Sequence, residues 1–436
     1  MPNCLGGDCH SGATELNTQF DLSSWELMMR GSKFLNEVIP FNAVKSHLFG
    51  HINTNTNTAP IIKPTMPYAR FPLSDRDQKT FFDWIESGAK SEDGKTPYED
   101  VAKPIVIIHQ AEDMFSIIDA ESERVVRITA LGDTAIKYRP ASIAMMPDKK
   151  NFIIAMLGAS GTFRKFDLAS RTITGEFVSH LLPNEIAVTP DGRKGYIMDN
   201  SSLKSNTVGA FDPGAMMMIK TINSPVIEQP FAVTISADGK YAYVAGYSSD
   251  NILRIDTRTD SIVANLPLGA DVEIPVSTDY IRQYLPAKIV LAEDSMKMYV
   301  SCAGTAEVVV FDLRGDSIIS RIQLLSSPRA AALSPNGKEL WVATRLNSIH
   351  VISTKTNTII AQIDSVGESP SDMLFTADGK DVYVACQYLE PRHSHHAGGG
   401  PVASSSYVVI SAQTKKIIST FEVPGVSVGI TRAYDK

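Results

Sequence analysis

The chain has 436 residues, a formal net charge of -7, 43% hydrophobic and 20% charged residues, and four cysteines. This composition is typical of a globular protein of two or three domains and excludes a disulfide-dense scaffold. The sequence has no run of 18 apolar residues that would cross a bilayer, and its acidic balance argues against nucleic acid as a partner.

The chain opens with NCLGGDCHSG, in which Cys4, Cys9 and His10 have the spacing C-x4-C-H. The usual haem-attachment signature is C-x-x-C-H, in which two thiols bond to the haem vinyl groups and the histidine binds the iron. Two extra residues must loop out here, and Gly6 and Gly7 tolerate the backbone angles of such a loop. The alternative is a Cys4–Cys9 disulfide followed by an incidental histidine.

Residues 14–89 have helical patterns. The segment LSSWELMMRGSKFL has apolar residues at helical spacing, and LSDRDQKTFFDWIESGA begins with Ser74 as N-cap and stops at Gly88. The intervening residues are polar and rich in proline, which predicts a loop. His47 and His51 are four residues apart and could share one helical face.

The pattern changes after a charged linker, residues 90–103. From residue 104 a phrase recurs that predicts a strand, a tight turn and a second strand: MMPDKKNFIIA, VTPDGRKGYIM, ISADGKYAYVA, LAEDSMKMYVS, LSPNGKELWVA and FTADGKDVYVA. A second phrase, such as VVVFDLRGDSII, ends each unit and occurs seven times. Units of roughly 40 to 45 residues with four strands each predict a β-propeller.

The missing seventh turn phrase predicts how the ring closes. The domain opens on a strand without a preceding partner, PIVIIHQ, and ends on one without a following partner, GVSVGITRAYD. We expect the C-terminal strand, residues 426–432, to complete the first blade, which removes free sheet edges. The phrases resemble the bacterial YVTN-type seven-bladed propellers, a resemblance that bears on fold and says little about function.

The segment MPYARFPLSDRDQKTFFDWIESGA resembles the end of small cytochrome c domains in planctomycete-type and related multidomain cytochromes. The resemblance implies haem c bonded to Cys4 and Cys9, His10 as proximal iron ligand and Met66 as distal ligand. His51 or His47 remains an alternative distal ligand. The expected organisation is therefore an all-α cytochrome c domain (1–89), a linker (90–103) and a mainly β seven-bladed propeller (104–436).

Blade seven is interrupted by the long loop QYLEPRHSHHAGGGPVASSS. Its three histidines, His393, His395 and His396, could bind an additional metal ion or ligate a haem, because clustered imidazoles are common metal ligands. The alternative is a solvated loop, since the glycines and serines that follow give it little reason to be ordered. Two further cysteines, Cys302 and Cys386, end strands two blades apart, which predicts free, buried thiols.

These features favour a mono-haem c-type cytochrome that transfers electrons, with the propeller as docking scaffold in a larger redox complex. The expected partners are other redox proteins or cytochromes. The alternative is a haem- or metal-dependent oxidoreductase with a substrate or second-cofactor site on the loop-rich propeller face. A pure interaction module would require the first two cysteines to be structural. Covalent haem is normally attached outside the cytoplasm, so we expect an extracytoplasmic bacterial protein whose signal segment is absent from this sequence.

Overall fold

A computed structural model describes residues 10, 20–32, 36–68, 70–133, 135–272, 280–292, 294, 296–388, 404–424 and 426–435. Cys4, Cys9 and the three histidines of the blade-seven loop lie outside these residues. Three short helices precede the strands in the described part of the chain: α1 Trp25–Arg30, α2 His47–Ile52 and α3 Asp75–Glu86. None of the helices in the described ranges is both long and apolar enough to cross a membrane.

The helix ends follow the capping residues. The Ser24 side chain accepts a hydrogen bond from the Leu27 N–H at 3.2 Å, and α1 ends at Gly31, whose φ is 74°. The first predicted helix is therefore shorter than its apolar pattern suggests. Ser74 caps α3 as predicted, accepting from the Asp77 N–H at 3.2 Å.

The strands of the described residues form seven four-stranded antiparallel sheets, the blades of a propeller. Blade one consists of β28 Ser427–Arg432, β1 Pro104–His109, β2 Met114–Asp119 and β3 Arg124–Ala130, and blade two of β4 Pro140–Met145, β5 Asn151–Met156, β6 Thr162–Asp167 and β7 Ile173–Val178. Blade three consists of β8 Pro183–Val188, β9 Gly195–Asp199, β10 Thr207–Asp212 and β11 Met217–Asn223. Blade four consists of β12 Pro230–Ile235, β13 Tyr241–Gly246, β14 Asn251–Asp256 and β15 Ser261–Pro267.

Blade five consists of β16 Pro286–Leu291, β17 Lys297–Cys302, β18 Glu307–Asp312 and β19 Ser317–Gln323. Blade six consists of β20 Pro328–Leu333, β21 Glu339–Thr344, β22 Ile349–Ser353 and β23 Thr358–Ile363. Blade seven consists of β24 Glu368–Phe375, β25 Asp381–Tyr388, β26 Ser404–Ser411 and β27 Ile417–Pro424. Consecutive inner strands contact one another all the way round, from β4 to β24, and β28 contacts both β24 and β4. The predicted seven-bladed propeller is confirmed, as is its closure by the C-terminal strand.

A buried histidine links the strands that close the ring. His109, at the end of β1, contacts Ser116 of β2 through Nε2 at 2.8 Å and Ser427 of β28 through Nδ1 at 3.2 Å. Ser427 also donates its N–H to the Ser405 hydroxyl of blade seven at 3.0 Å. The polar contacts therefore join the two ends of the propeller, and burial lowers the pKa of His109 to about 3.

The predicted hairpin turns use glycine and an Asx side chain. In the turn before β21, Gly337 has φ 68°, and the Asn336 side chain accepts from the Lys338 N–H at 3.0 Å. Gly239 has φ 73° in the turn before β13. Glycine has no Cβ to oppose this left-handed conformation, and Asp or Asn satisfies the turn's backbone donors.

The N-terminal region covers the outer strand of blade one. The central residues of β3 are buried, whereas most residues of the outer strands β7 and β11 are half-buried or exposed. Ile39 joins the apolar cluster between blades seven and one, and Asn36 donates to the Val125 carbonyl. The Arg127 guanidinium lies 5.2 Å from the centre of the Phe41 ring. The helical region therefore packs directly on the propeller.

Candidate functional site

The proximal-ligand candidate lies beside an apolar cluster of the N-terminal region. The His10 ring packs edge-on against Phe20, with 5.6 Å between ring centroids, and His10 Nδ1 lies 3.2 Å from the Phe20 carbonyl oxygen. A carbonyl only accepts, so Nδ1 carries the proton and the lone pair is on Nε2. This is the tautomer that a metal-ligating imidazole adopts when a carbonyl holds its second nitrogen.

The structure brings the three distal-ligand candidates together. The Met66 N–H donates to the His51 carbonyl at 2.7 Å, and the His47 and His51 rings lie 6.3 Å apart on α2. His51 Nδ1 donates to the Pro64 carbonyl at 3.0 Å, which again assigns the ring lone pair to Nε2. Burial, with a smaller effect of the His51 charge, lowers the pKa of His47 to about 4 and keeps that imidazole neutral.

The proximal and distal candidates border the same apolar cluster. Phe20 belongs to this cluster, and Met66 packs against it. The cluster also contains Leu22 and aliphatic, aromatic and thioether side chains from all three helices: Met28, Met29, Leu48, Phe49, Ile52 and Ile85. Imidazole and thioether are side-chain groups that can ligate haem iron, and in the described residues both types border this one apolar cluster.

No group of three or more His, Cys, Asp or Glu side chains in the described ranges could hold a metal ion. Cys4 and Cys9, like His393, His395 and His396, lie outside those ranges. Both of the other cysteines, Cys302 and Cys386, are free and buried, as predicted.

A charged cluster crosses the central channel of the propeller. Lys288 of blade five forms an ion pair with Glu185 of blade three, and Glu185 also accepts from the Val233 N–H of the intervening blade at 2.9 Å. The charges of Lys288 and Glu185 both act on Asp372 of blade seven, whose carboxylate accepts from the Ile430 N–H at 3.2 Å. Burial raises the pKa of Asp372, an effect that the Lys288 charge opposes.

A cavity of about 330 Å³ adjoins this cluster and is lined by Glu185, Lys288 and mainly aliphatic residues of β8, β12, β16 and β20. Sequence reasoning did not single out Lys288 or Asp372. The sequence does mark Glu185, Lys288 and Asp372. Each stands two positions after a proline that begins or lies within its inner strand: Pro183, Pro286 and Pro370. A β-bulge follows the proline in all three strands.

No known protein family has a profile that matches this chain. Antigen Lp49 of Leptospira interrogans serogroup Icterohaemorrhagiae serovar copenhageni (strain Fiocruz L1-130) is 21% identical over 295 residues, which are 63% of this chain and 60% of that protein. This chain thus spans about 60% of the length of the curated relative that it matches.

Two solved structures are similar in fold. A protein of unknown function from Desulfotomaculum acetoxidans DSM 771 gives a TM-score of 0.59 at 12% identity and covers 77% of this chain and 100% of its own. A protein from Bacteroides uniformis ATCC 8492, provisionally assigned as a 6-phosphogluconolactonase, gives 0.58 at 15% identity and covers 76% and 100%. At these identities the similarity shows the propeller fold alone.

Proposed function

We propose that this chain is a mono-haem c-type cytochrome that transfers electrons, with its propeller as docking scaffold, as a subunit of a larger extracytoplasmic redox complex. Cys4 and Cys9 would hold the haem covalently, His10 would be the proximal ligand and Met66 the distal ligand. When bound, the haem supplies an iron that changes reversibly between two oxidation states.

The tautomer of His10 carries the proposal. Its Nδ1 is held by the Phe20 carbonyl at 3.2 Å, so the ring presents Nε2 with a fixed orientation beside an apolar cluster. An incidental surface histidine next to a disulfide would need neither the carbonyl partner nor the aromatic contact. This arrangement is what orients an imidazole ligand and raises its basicity.

The other residues of the region would exclude water and set the reduction potential. The apolar cluster around Phe20, Phe49 and Ile85 would give a bound haem a low dielectric constant, which would disfavour the additional charge of oxidised iron. A thioether from Met66 would raise the potential, whereas an imidazole from His51 or His47 would lower it. The Pro64 carbonyl would position His51 if that residue were the ligand.

Direct packing of the N-terminal region on blade one would fix the redox site relative to the propeller. Arg127 is central to this contact, because its Nη2 donates to the Pro97 carbonyl at 3.0 Å while its plane covers Phe41. The name of the Leptospira relative, an antigen, is consistent with the proposed extracytoplasmic location.

The channel favours a second candidate, a haem- or metal-dependent oxidoreductase. The cavity of about 330 Å³ combines aliphatic walls with the Glu185–Lys288 pair, which is the usual character of a small-molecule site. Such an enzyme would need either a five-coordinate haem or an additional metal centre, for which His393, His395 and His396 are the candidates. One six-coordinate haem per chain and no other metal would support the electron carrier instead.

The test is spectroscopy of the protein expressed with haem-attachment machinery in a bacterial periplasm. We expect a reduced-minus-oxidised spectrum of a low-spin c-type haem, at one iron per chain by metal analysis. His10→Ala should abolish that spectrum, whereas His180→Ala, at an exposed propeller histidine, should leave it unchanged. A wild-type protein without haem absorption would contradict the proposal.

A further inference from the structure

Two imidazoles lie one above the other on α2. His47 and His51 are four residues apart, and their ring centres lie 6.3 Å apart in a tilted arrangement. Residues i and i+4 share one face of a helix, which is the spacing by which paired histidines on a helix hold a metal ion. Both residues are half-buried, which leaves part of their surface open to an ion from solvent.

The distance between the two rings suits one shared ion. An imidazole nitrogen binds a transition metal at about 2 Å, so two rings on one ion have centres roughly 5 to 6 Å apart. The observed separation of His47 and His51 slightly exceeds this range, and a small rotation of either ring closes the difference. Backbone movement is therefore not required for both rings to meet one ion.

The ring of His51 is oriented as that of a metal ligand. Its Nδ1 donates to the Pro64 carbonyl at 3.0 Å, so Nε2 carries the lone pair. Metal-ligating histidines commonly donate their second nitrogen to a carbonyl, which fixes the ring and raises its basicity. This contact is independent of the helical spacing, and it indicates the same role.

Neighbouring segments hold α2 in place. The helix has six residues, fewer than the roughly 12 that an isolated helix needs in water. The Leu48 N–H donates to the Glu37 carbonyl and the Ile62 N–H to the Gly50 carbonyl, both at 2.9 Å. A Cβ at residue 50 would lie 2.6 Å from Ile62 Cδ1, so glycine permits this close approach. The backbone that carries the two imidazoles is therefore fixed before an ion binds.

The chemistry of the two ligands selects the ion. Imidazole suits copper, zinc, nickel and iron, and the affinity of a nitrogen site for divalent ions is highest for Cu²⁺. Neither His47 nor His51 supplies an oxygen ligand, which disfavours Ca²⁺ and Mg²⁺. A pair of imidazoles with its remaining positions open to water is therefore best suited to copper.

We propose that His47 and His51 together bind one transition-metal ion, and that Cu²⁺ is the ion bound most tightly. The inference goes beyond the proposed function, because with Met66 as distal haem ligand the iron uses neither imidazole. It assigns no reaction to the ion and does not require the haem to be present.

The test is a copper titration of the full chain in which the loop histidines His393, His395 and His396 are replaced by glutamine, which removes competing imidazoles. Two forms of this parent chain are compared: the haem-loaded form, and Cys4→Ser with Cys9→Ser, which carries no haem. Equilibrium dialysis against CuSO₄ with metal analysis gives affinity and stoichiometry. We expect one Cu²⁺ per chain in both forms, bound more tightly than Ni²⁺ or Zn²⁺.

Substitutions then assign the ligands. Two ligands on one helix act as a chelate, so His47→Gln or His51→Gln should weaken copper binding about a hundredfold. The matched control His180→Gln, at an exposed propeller histidine, should bind copper like the parent chain. Electron paramagnetic resonance should show hyperfine coupling to two imidazole nitrogens in the parent and to one in either variant. Circular dichroism confirms the fold of each variant, and if one unfolds the other decides.

A parent chain that binds no copper, or copper binding that survives both substitutions, would overturn the proposal. The haem spectrum is recorded in parallel. A wild-type chain without haem that binds copper through the pair would refute the electron-transfer function and support the metal site. A haem-loaded chain whose two forms both fail to bind copper would do the reverse. Copper bound only by the haem-free form would support the metal site and contradict Met66 as distal ligand, because the iron would then use one of the two imidazoles.

Discussion

Acidification should weaken the propeller through His109, which closes its ring. The side chain is fully buried between Ser116 and Ser427, and its pKa is lowered to about 3, against an ordinary value of 6.5. Between these two values the unfolded chain binds a proton that the folded protein does not. The contribution of buried, neutral His109 to stability is therefore fully present above pH 6.5 and decreases as the pH falls from there towards 3.

The size of the effect follows from the two pKa values. Between pH 7.5 and pH 5.0 protonation of the unfolded histidine should lower the free energy of unfolding by about 2 kcal/mol. Urea unfolding followed by tryptophan fluorescence measures this free energy in wild type and in His109→Gln, which removes the titrating ring. The difference between the two proteins should shrink by that amount on acidification. A difference that stays constant with pH would refute the reasoning.

Three other changes test separate parts of the structure. Ile39→Asn should undock the N-terminal region, because it places an amide in the apolar cluster between blades seven and one. Trypsin should then cut within residues 90–103 about tenfold faster than in the wild-type protein. The control Val44→Asn, at a residue that is 40% exposed, should not change the cleavage rate. Glu185→Gln should lower the free energy of unfolding by about 2 kcal/mol, because it leaves the Lys288 ammonium without its carboxylate partner. The loss should be smaller than for a fully buried ion pair, and an unchanged urea midpoint would contradict the ion pair. Gly337→Ala should lower the free energy of unfolding by about 1 kcal/mol because residue 337 has φ 68°. A Cβ at this position would meet no atom within 4 Å, so the loss would come from backbone strain alone, and Gly315→Ala should be nearly neutral.

The propeller could be predicted from sequence because its information is local. Each hairpin phrase specifies its own turn and strand alternation, and the unmatched first and last strands specify the closing pair β1 and β28. The first helix was overestimated, because the apolar pattern continues past Gly31 whereas the backbone turns there with φ 74°.

The contacts between distant segments could not be predicted in this way. Packing of Ile39 and Phe41 on blade one depends on how two folded parts meet, and no periodicity records it. The Lys288–Glu185 pair joins blades three and five across the channel, so it is visible only after the ring is closed. The carbonyl partners of His10 and His51 likewise come from backbone geometry that residue types do not specify.

Intact mass spectrometry of the periplasmically expressed chain tests the central claim most directly. If Cys4 and Cys9 carry haem, the polypeptide keeps the mass of one haem under denaturing conditions, and Cys4→Ser with Cys9→Ser removes that mass. A chain with the mass of its amino acids alone, less two hydrogens for a Cys4–Cys9 disulfide, would contradict the account.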